Sequence, residues 1–293
     1  MSDSRPAFGQ TDLLLLLMAV IWGVNYSAAK YASLLFTPML FVWLRIMLAL
    51  ATLTIVAIIR RKPWPPWRDM RALLGLGIIG NGMYQCLFLN GLARTRVADA
   101  ALIVAAAPAC MAILSRLRGV DRIRRRSVLG IIISVTGVGI VIMGSTHMTQ
   151  RQGSTLGLVL MVSAVLCWSV FSVLLRPYTL RVDPVHMNML AMLGGALPLM
   201  CLTPVMLAHV SWRTVPLLGW GAAMYSSAIS IGVAYLFWFR GVRVLGPTRA
   251  SMYGNLQPVV AILVAWAVLR ETPTFWQAGG TAAIIGGLLL TRT

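Results

Sequence analysis

Ser251, Tyr253, Asn255 and Gln257 stand at alternate positions just ahead of Pro258, inside the otherwise apolar stretch 246–269. An unpaired polar group in hydrocarbon costs several kcal/mol, so these four must face water, a ligand or another polar group. Two further sets share the pattern. Trp22 and Trp168 lie deep in apolar runs, Trp22 with Asn25 close behind, while Asn81, Tyr84, Gln85 and Phe88 follow the i, i+3, i+4, i+7 spacing of one helical face. The cations Lys30, Arg45 and Arg249 fall within or beside apolar runs as well. Amides, hydroxyls, rings and isolated cations offer hydrogen bonding, stacking and charge pairing, which is the chemistry of holding a small solute. Catalysis is not indicated, because no H-E-x-x-H, no paired deep carboxylates and no Ser-His-acid set occurs at depth. Cys86, Cys110, Cys167 and Cys201 sit in apolar runs without a C-x-x-C pair, so neither a disulfide framework nor a zinc site is expected. No cofactor or metal is implied.

The elements that position these residues follow from composition. The chain is 59% hydrophobic and 11% charged, against about 25% charged for soluble domains, and it reads as an integral membrane protein. Its net charge of +18 comes from short basic clusters between apolar runs. Such clusters orient a membrane protein rather than bind nucleic acid. Ten runs have spanning length, at 12–34, 38–59, 72–93, 98–117, 127–144, 154–175, 185–208, 216–239, 246–269 and 274–290. The first is too long for a signal peptide and is expected to stay in the mature protein. With the N-terminus inside the cell, 17 of the 25 basic residues fall on the cytoplasmic side, so both termini are expected there.

The two halves resemble each other. At an offset of 146, Trp22, Lys30 and Pro38 align with Trp168, Arg176 and Pro184; at 150, Gly91, Pro108, Gly130 and Gly137 align with Gly241, Pro258, Gly280 and Gly287. Five spans per unit is an odd number, so 145–293 must be inverted relative to 1–144, the architecture of carriers with a midplane site. Pro108 and Pro258 cannot donate to the carbonyls of Val104 and Gly254, which predicts a packed kink or an exposed carbonyl. In the fourth span Ala101, Ile103, Ala105 and Ala107 occupy the positions matched to Ser251, Tyr253, Asn255 and Gln257. The fourth is thus expected to be a plain helix. Trp22 and Trp168 could form opposite walls of a cavity or serve as packing bulk, and Tyr225, Ser226, Ser227 and Ser230 in the eighth span suit either close helix contact or a ligand.

AVIWGVNYSAAK at 19–30 resembles the first-span signature of the drug/metabolite transporter superfamily. RTRVADAALIVAAAPACMAIL at 94–114, VLGPTRASMYGNLQPVVAILVA at 244–265 and LRETPTFWQAGGTAAIIGGLLL at 269–290 resemble its fourth, ninth and tenth spans in the ten-helix EamA branch. The resemblance implies an all-α basket of ten transmembrane helices around a central cavity, and it is similar in kind to bacterial exporters of amino acids, including aromatic ones. Combined with the residues above, it gives an expectation. The chain is an inner-membrane carrier that exports neutral or aromatic amino acids, or related metabolites, by alternating access as a monomer. Its substrate site is expected at Trp22, Asn25, Asn81, Tyr84, Gln85, Trp168, Tyr253, Asn255 and Gln257, with Lys30, Arg45 and Arg249 as gate or carboxylate contacts. Partners are the small-molecule substrate and the lipid bilayer. No acidic residue lies at depth on this map, so uniport down the substrate gradient is expected. A carrier of anionic metabolites on the same fold, or a channel, is the alternative.

Overall fold

The structure, a computed structural model, describes residues 9–118, 129–130, 132–133, 136–137, 139–140, 143, 154–201, 203, 207, 212 and 215–292. Among these residues there is helix and no strand. α1 (Gln10–Leu35) starts where Asp12 accepts a hydrogen bond from the Gly9 N–H at 2.8 Å, which answers one of the orphan donors of a helix start. α2 (Pro38–Arg60) opens on a proline, tolerated there because the first turn needs no N–H, and stops at Arg61 in the left-handed region, with φ 46°. α3 (Trp67–Ala93) and α4 (Val97–Leu117) follow. α5 (Thr155–Thr179) leads to α6 (Pro184–Met200), capped by Asp183, whose carboxylate accepts from the Val185 N–H at 3.0 Å. α7 is Leu217–Leu245. α8 runs Pro247–Met252, passes through a 3-10 turn at Tyr253–Asn255 and resumes as Leu256–Leu269; α9 is Phe275–Arg292. Gly246 joins α7 to α8 at φ +81°, a conformation that glycine adopts without strain.

Seven of these helices, α1 to α5 together with α7 and α8, are long and apolar enough to cross a membrane. α6 and α9 fall on the expected spans 185–208 and 274–290. Half of the expected span 127–144 and all of the basic cluster Arg122 to Arg126 lie outside the described residues. Several ends differ from the sequence reading: α5 runs on to Thr179 against 175, and α6 closes at Met200 against 208. α3 begins at Trp67 rather than 72, and α7 continues to Leu245, six residues past the expected end at 239.

Small residues set how the bundle closes. A Cβ on Gly77 of α3 would stand 2.1 Å from the Ala191 carbonyl oxygen, and one on Gly194 of α6 would stand 2.0 Å from that of Leu74. α3 and α6 therefore meet backbone to backbone, as small residues permit in membrane helices. At Gly23 a Cβ would fall 2.5 Å from Val260 Cβ, so α1 lies equally close against α8. Polar contacts fasten this pair at two levels. The Tyr253 hydroxyl of α8 donates to the Asp12 carboxylate at the start of α1, and Lys30 of α1 pairs with Glu271, just past α8, at 2.8 Å. Lys30 also donates to the Thr95 carbonyl at 2.7 Å, and Glu271 accepts from the Val97 N–H at 2.9 Å. On the outer surface Leu13, Leu17, Ile55, Ile58, Leu166, Leu217 and Phe275 are exposed, as lipid-facing side chains are.

Candidate functional site

Seven helices contribute to one cavity in the middle of the bundle: α1, α2, α3, α4, α5, α7 and α8. Its volume is about 50 Å³. Roughly 10–15 Å³ on this measure holds one water, so the cavity takes a few waters or a small ligand unless its walls part.

Rings make most of the wall. Trp22 and Trp168 touch edge to face with centroids 5.9 Å apart, and Tyr235 packs on both, at 5.6 Å and 5.3 Å. Tyr84 lies 5.1 Å and Trp238 5.6 Å from Trp168. Trp22 and Trp168 are therefore neighbours in one aromatic cluster and not opposite walls across an open gap.

The polar part of the wall is built on two irregular helices. Ile78–Met83 in α3 and Tyr225–Val233 in α7 are π-helical, and such wide turns shift backbone carbonyls out of the regular ladder. Side chains take them up. Trp22 Nε1 donates to the Ser230 carbonyl at 2.9 Å and Arg45 Nε to the Ser226 carbonyl at 3.0 Å. Arg45 Nη1 also donates to Gln85 Oε1 at 2.9 Å, while Nη2 reaches Ser230 Oγ at 3.4 Å. Gln85 Nε2 faces the Tyr235 hydroxyl oxygen at 3.4 Å, and Ser226 Oγ donates to Asn25 Oδ1 at 2.7 Å. Arg45 is 3% exposed and makes no ion pair among the described residues. A buried guanidinium held only by neutral acceptors keeps its full charge directed at whatever fills the cavity.

Broken helices supply the remaining wall. α4 loses its regular helix at Ala105 and Ala106, just ahead of Pro108, and α8 does so at Tyr253–Asn255, just ahead of Pro258. The fourth span is thus not the plain helix expected from its alanines. Val104, Ala105, Pro108, Gly254 and Gln257 all line the cavity, which places both proline-orphaned carbonyl residues, Val104 and Gly254, beside it. The 3-10 turn also regroups α8. At three residues per turn, Ser251, Gly254 and Gln257 come to one face and line the cavity, whereas α-helical spacing paired Ser251 with Asn255 and Tyr253 with Gln257.

Of the residues singled out by sequence, Trp22, Asn25, Arg45, Tyr84, Trp168 and Gln257 line the cavity, and Gln85 holds Arg45 in its wall. Others do not reach it. Tyr253 turns to Asp12, Lys30 to Glu271, and Arg249 is exposed. Asn81 is buried beside Gly195 of α6, and both its amide atoms lack partners. The Asn255 side chain lies outside the described residues. Arg45 is buried inside the bundle. Ser251 of the ninth-span polar group lines it as well, and Tyr235 and Trp238 join the site without having been assigned to it. With α7 continuing to Leu245, Trp238 stands inside the helix and is 1% exposed.

A model of the EamA-like transporter family matches residues 10–143 and again residues 155–293. The chain belongs to the EamA-like transporter family. It is 28% identical over 279 residues to the uncharacterized transporter YyaM of Bacillus subtilis, covering 94% of this chain and 92% of that protein. An uncharacterized transporter of Archaeoglobus fulgidus is 26% identical, with 95% of this chain and 97% of that one covered. A probable terminal-alkyne amino-acid exporter of Streptantibioticus cattleyicolor is 24% identical over 229 residues, 78% of this chain and 75% of that protein. The fold also matches a protein of known crystal structure with a TM-score of 0.67 at 21% identity, over 94% of each chain. As an EamA-like transporter, the chain is a multi-pass membrane protein.

Proposed function

We propose that this EamA-like transporter exports neutral or aromatic amino acids, or closely related metabolites, across the bacterial inner membrane by alternating access, with both termini cytoplasmic. The observation that carries this reading is the ring-walled cavity holding Arg45 without an acidic partner. A zwitterion complements it. Its carboxylate meets the guanidinium, its ammonium finds ring faces and the carbonyls of Val104 and Gly254, and an uncharged side chain packs on the tryptophans. The relative described as a probable amino-acid exporter points the same way. Among the described residues no Asp or Glu lines the cavity, which supports uniport, since ion-coupled carriers use a carboxylate at depth.

Alternating access rests on two inverted five-helix units, 1–144 and 145–293, forming ten spans. Support comes from irregularities in register: the π segments of α3 and α7 and the breaks of α4 and α8 each recur about 150 residues on. The test is a panel of radiolabelled amino acids in proteoliposomes. Saturable uptake stimulated by counterflow is expected for at least one neutral or aromatic member. No saturable transport of any would overturn the reading, and accumulation driven by a pH gradient alone would overturn uniport. A carrier of anionic metabolites is the second reading, favoured by the same unpaired guanidinium.

A further inference from the structure

Gln85 holds Arg45 without cancelling its charge. A guanidinium has donors and no acceptor, so the Gln85 atom facing Arg45 Nη1 at 2.9 Å is the carbonyl oxygen, which settles the orientation of the amide. The other end, Nε2, faces the Tyr235 hydroxyl oxygen at 3.4 Å. Gln85 is fully buried, and Arg45 lines the cavity. Asp12, Asp69, Asp99, Asp183 and Glu271, the acidic residues among those described, are each engaged by a side chain other than Arg45.

An uncompensated buried charge is costly, and a carboxylate in place of the Gln85 amide would compensate it. Glutamate has the same length and shape, and its bond to Nη1 would be charge-assisted. The Tyr235 hydroxyl can donate to its second oxygen as readily as it now accepts from Nε2. Neither packing nor hydrogen bonding at this place therefore calls for the neutral side chain. What the amide changes is electrostatic. It fixes the guanidinium and leaves the positive charge in the cavity wall, where the low dielectric of the interior screens it weakly.

We infer that Gln85 is a positioning residue that sets which charge the cavity accepts: it holds Arg45 through a neutral acceptor, so that an anionic group of the solute supplies the missing counter-charge. This rests on the amino-acid reading for the choice of probes. It adds that selectivity for a carboxylate depends on an amide that acts through Arg45 and need not touch the solute.

Calorimetric titration of the purified full chain in nanodiscs tests it, using L-phenylalanine, its deaminated analogue 3-phenylpropionate and its decarboxylated analogue 2-phenylethylamine. Gln85→Glu supplies the counter-charge from the protein. It is expected to weaken the amino acid and the acid by about tenfold or more, to leave the amine as tight as in the parent or tighter, and to melt no lower than the parent without ligand. Gln85→Met removes the acceptor and adds no charge, and the amino acid and the acid are expected to stay within a few-fold of the parent. Equal loss of all three ligands in Gln85→Glu, or unchanged binding of all three, would overturn the inference. So would a loss in Gln85→Met as large and as selective as that in Gln85→Glu, since the hydrogen bond and not the charge would then matter. Where Gln85→Glu melts well below the parent, the exchange Arg45→Gln/Gln85→Glu decides, because it leaves a single negative charge in the wall: preference for the amine over the acid supports the inference, and preference for the acid overturns it. In each of these cases the amino-acid reading survives, because the parent protein binds. If the parent binds none of the three, that reading falls and the inference falls with it.

Discussion

Gly77→Ala and Gly194→Ala test how tightly the bundle is built. Each added methyl would lie 2.0–2.1 Å from a backbone carbonyl oxygen of the facing helix, where carbon and oxygen normally approach to about 3.3 Å. α3 and α6 must then part by about 1.2 Å, because backbone on one side and Cβ on the other leave no rotamer to absorb the strain. Overpacking of this kind costs about 1–3 kcal/mol, and the upper half of that range is expected here. Thermal unfolding of the detergent-purified protein, followed by fluorescence-detected size exclusion, gives the readout. Gly75 in the same helix is the control. A methyl there meets nothing within 4 Å, so Gly75→Ala is expected to be neutral or to stabilise by up to about 1 kcal/mol through helix propensity. The double variant Gly77→Ala/Gly194→Ala should fall short of additivity by about 1 kcal/mol, since one separation relieves both clashes. Melting temperatures equal to the parent in both single variants, or full additivity in the double, would refute the close contact of α3 with α6.

Further outcomes follow from the polar contacts. Gln257→Leu is expected to reduce proteoliposome transport several-fold, whereas Tyr253→Phe should leave it near the parent rate, because Gln257 lines the cavity and the Tyr253 hydroxyl is engaged by Asp12; a Tyr253→Phe loss as large as that of Gln257→Leu would contradict this. Pro258→Ala restores an N–H for the Gly254 carbonyl and is expected to weaken binding of 2-phenylethylamine and L-phenylalanine several-fold in calorimetry, with 3-phenylpropionate unaffected. Lys30→Met leaves the partly buried Glu271 carboxylate without its cation and should cost about 1–3 kcal/mol in thermal unfolding. The pair Lys30→Met/Glu271→Gln should recover part of that loss.

Much of the helical layout was legible because a membrane span is a statement about length and polarity, and both are written in consecutive residues. The local irregularities were not. A π turn at Tyr225–Val233 or a 3-10 turn at Tyr253–Asn255 changes which residues share a face, yet neither changes hydropathy. α-Helical spacing therefore separates Ser251 from Gln257, which the 3-10 turn brings to one face. The prolines at 108 and 258 did mark where helices break, since a missing N–H is a property of the residue itself. What the alanines around Pro108 hid is that a break needs no polar side chain. Arg45 posed the opposite problem: a cation in an apolar run has no partner written beside it, and its acceptors, the Ser226 carbonyl in the α7 π segment, Gln85 Oε1 and Ser230 Oγ, come from other helices.

The two fastenings between α1 and α8 have a mechanical consequence. Asp12 with Tyr253 and Lys30 with Glu271 are separated by the same 241 residues, so the two chains run in the same direction in strict register over 18 residues, or about 27 Å at 1.5 Å per residue. Sliding either helix along the other would break both fastenings at once. Tilting the two as one strut breaks neither. Gly23 is seated against Val260 between them, and the one interruption of regular α-helix between the two fastenings is the 3-10 turn of α8, which borders the cavity.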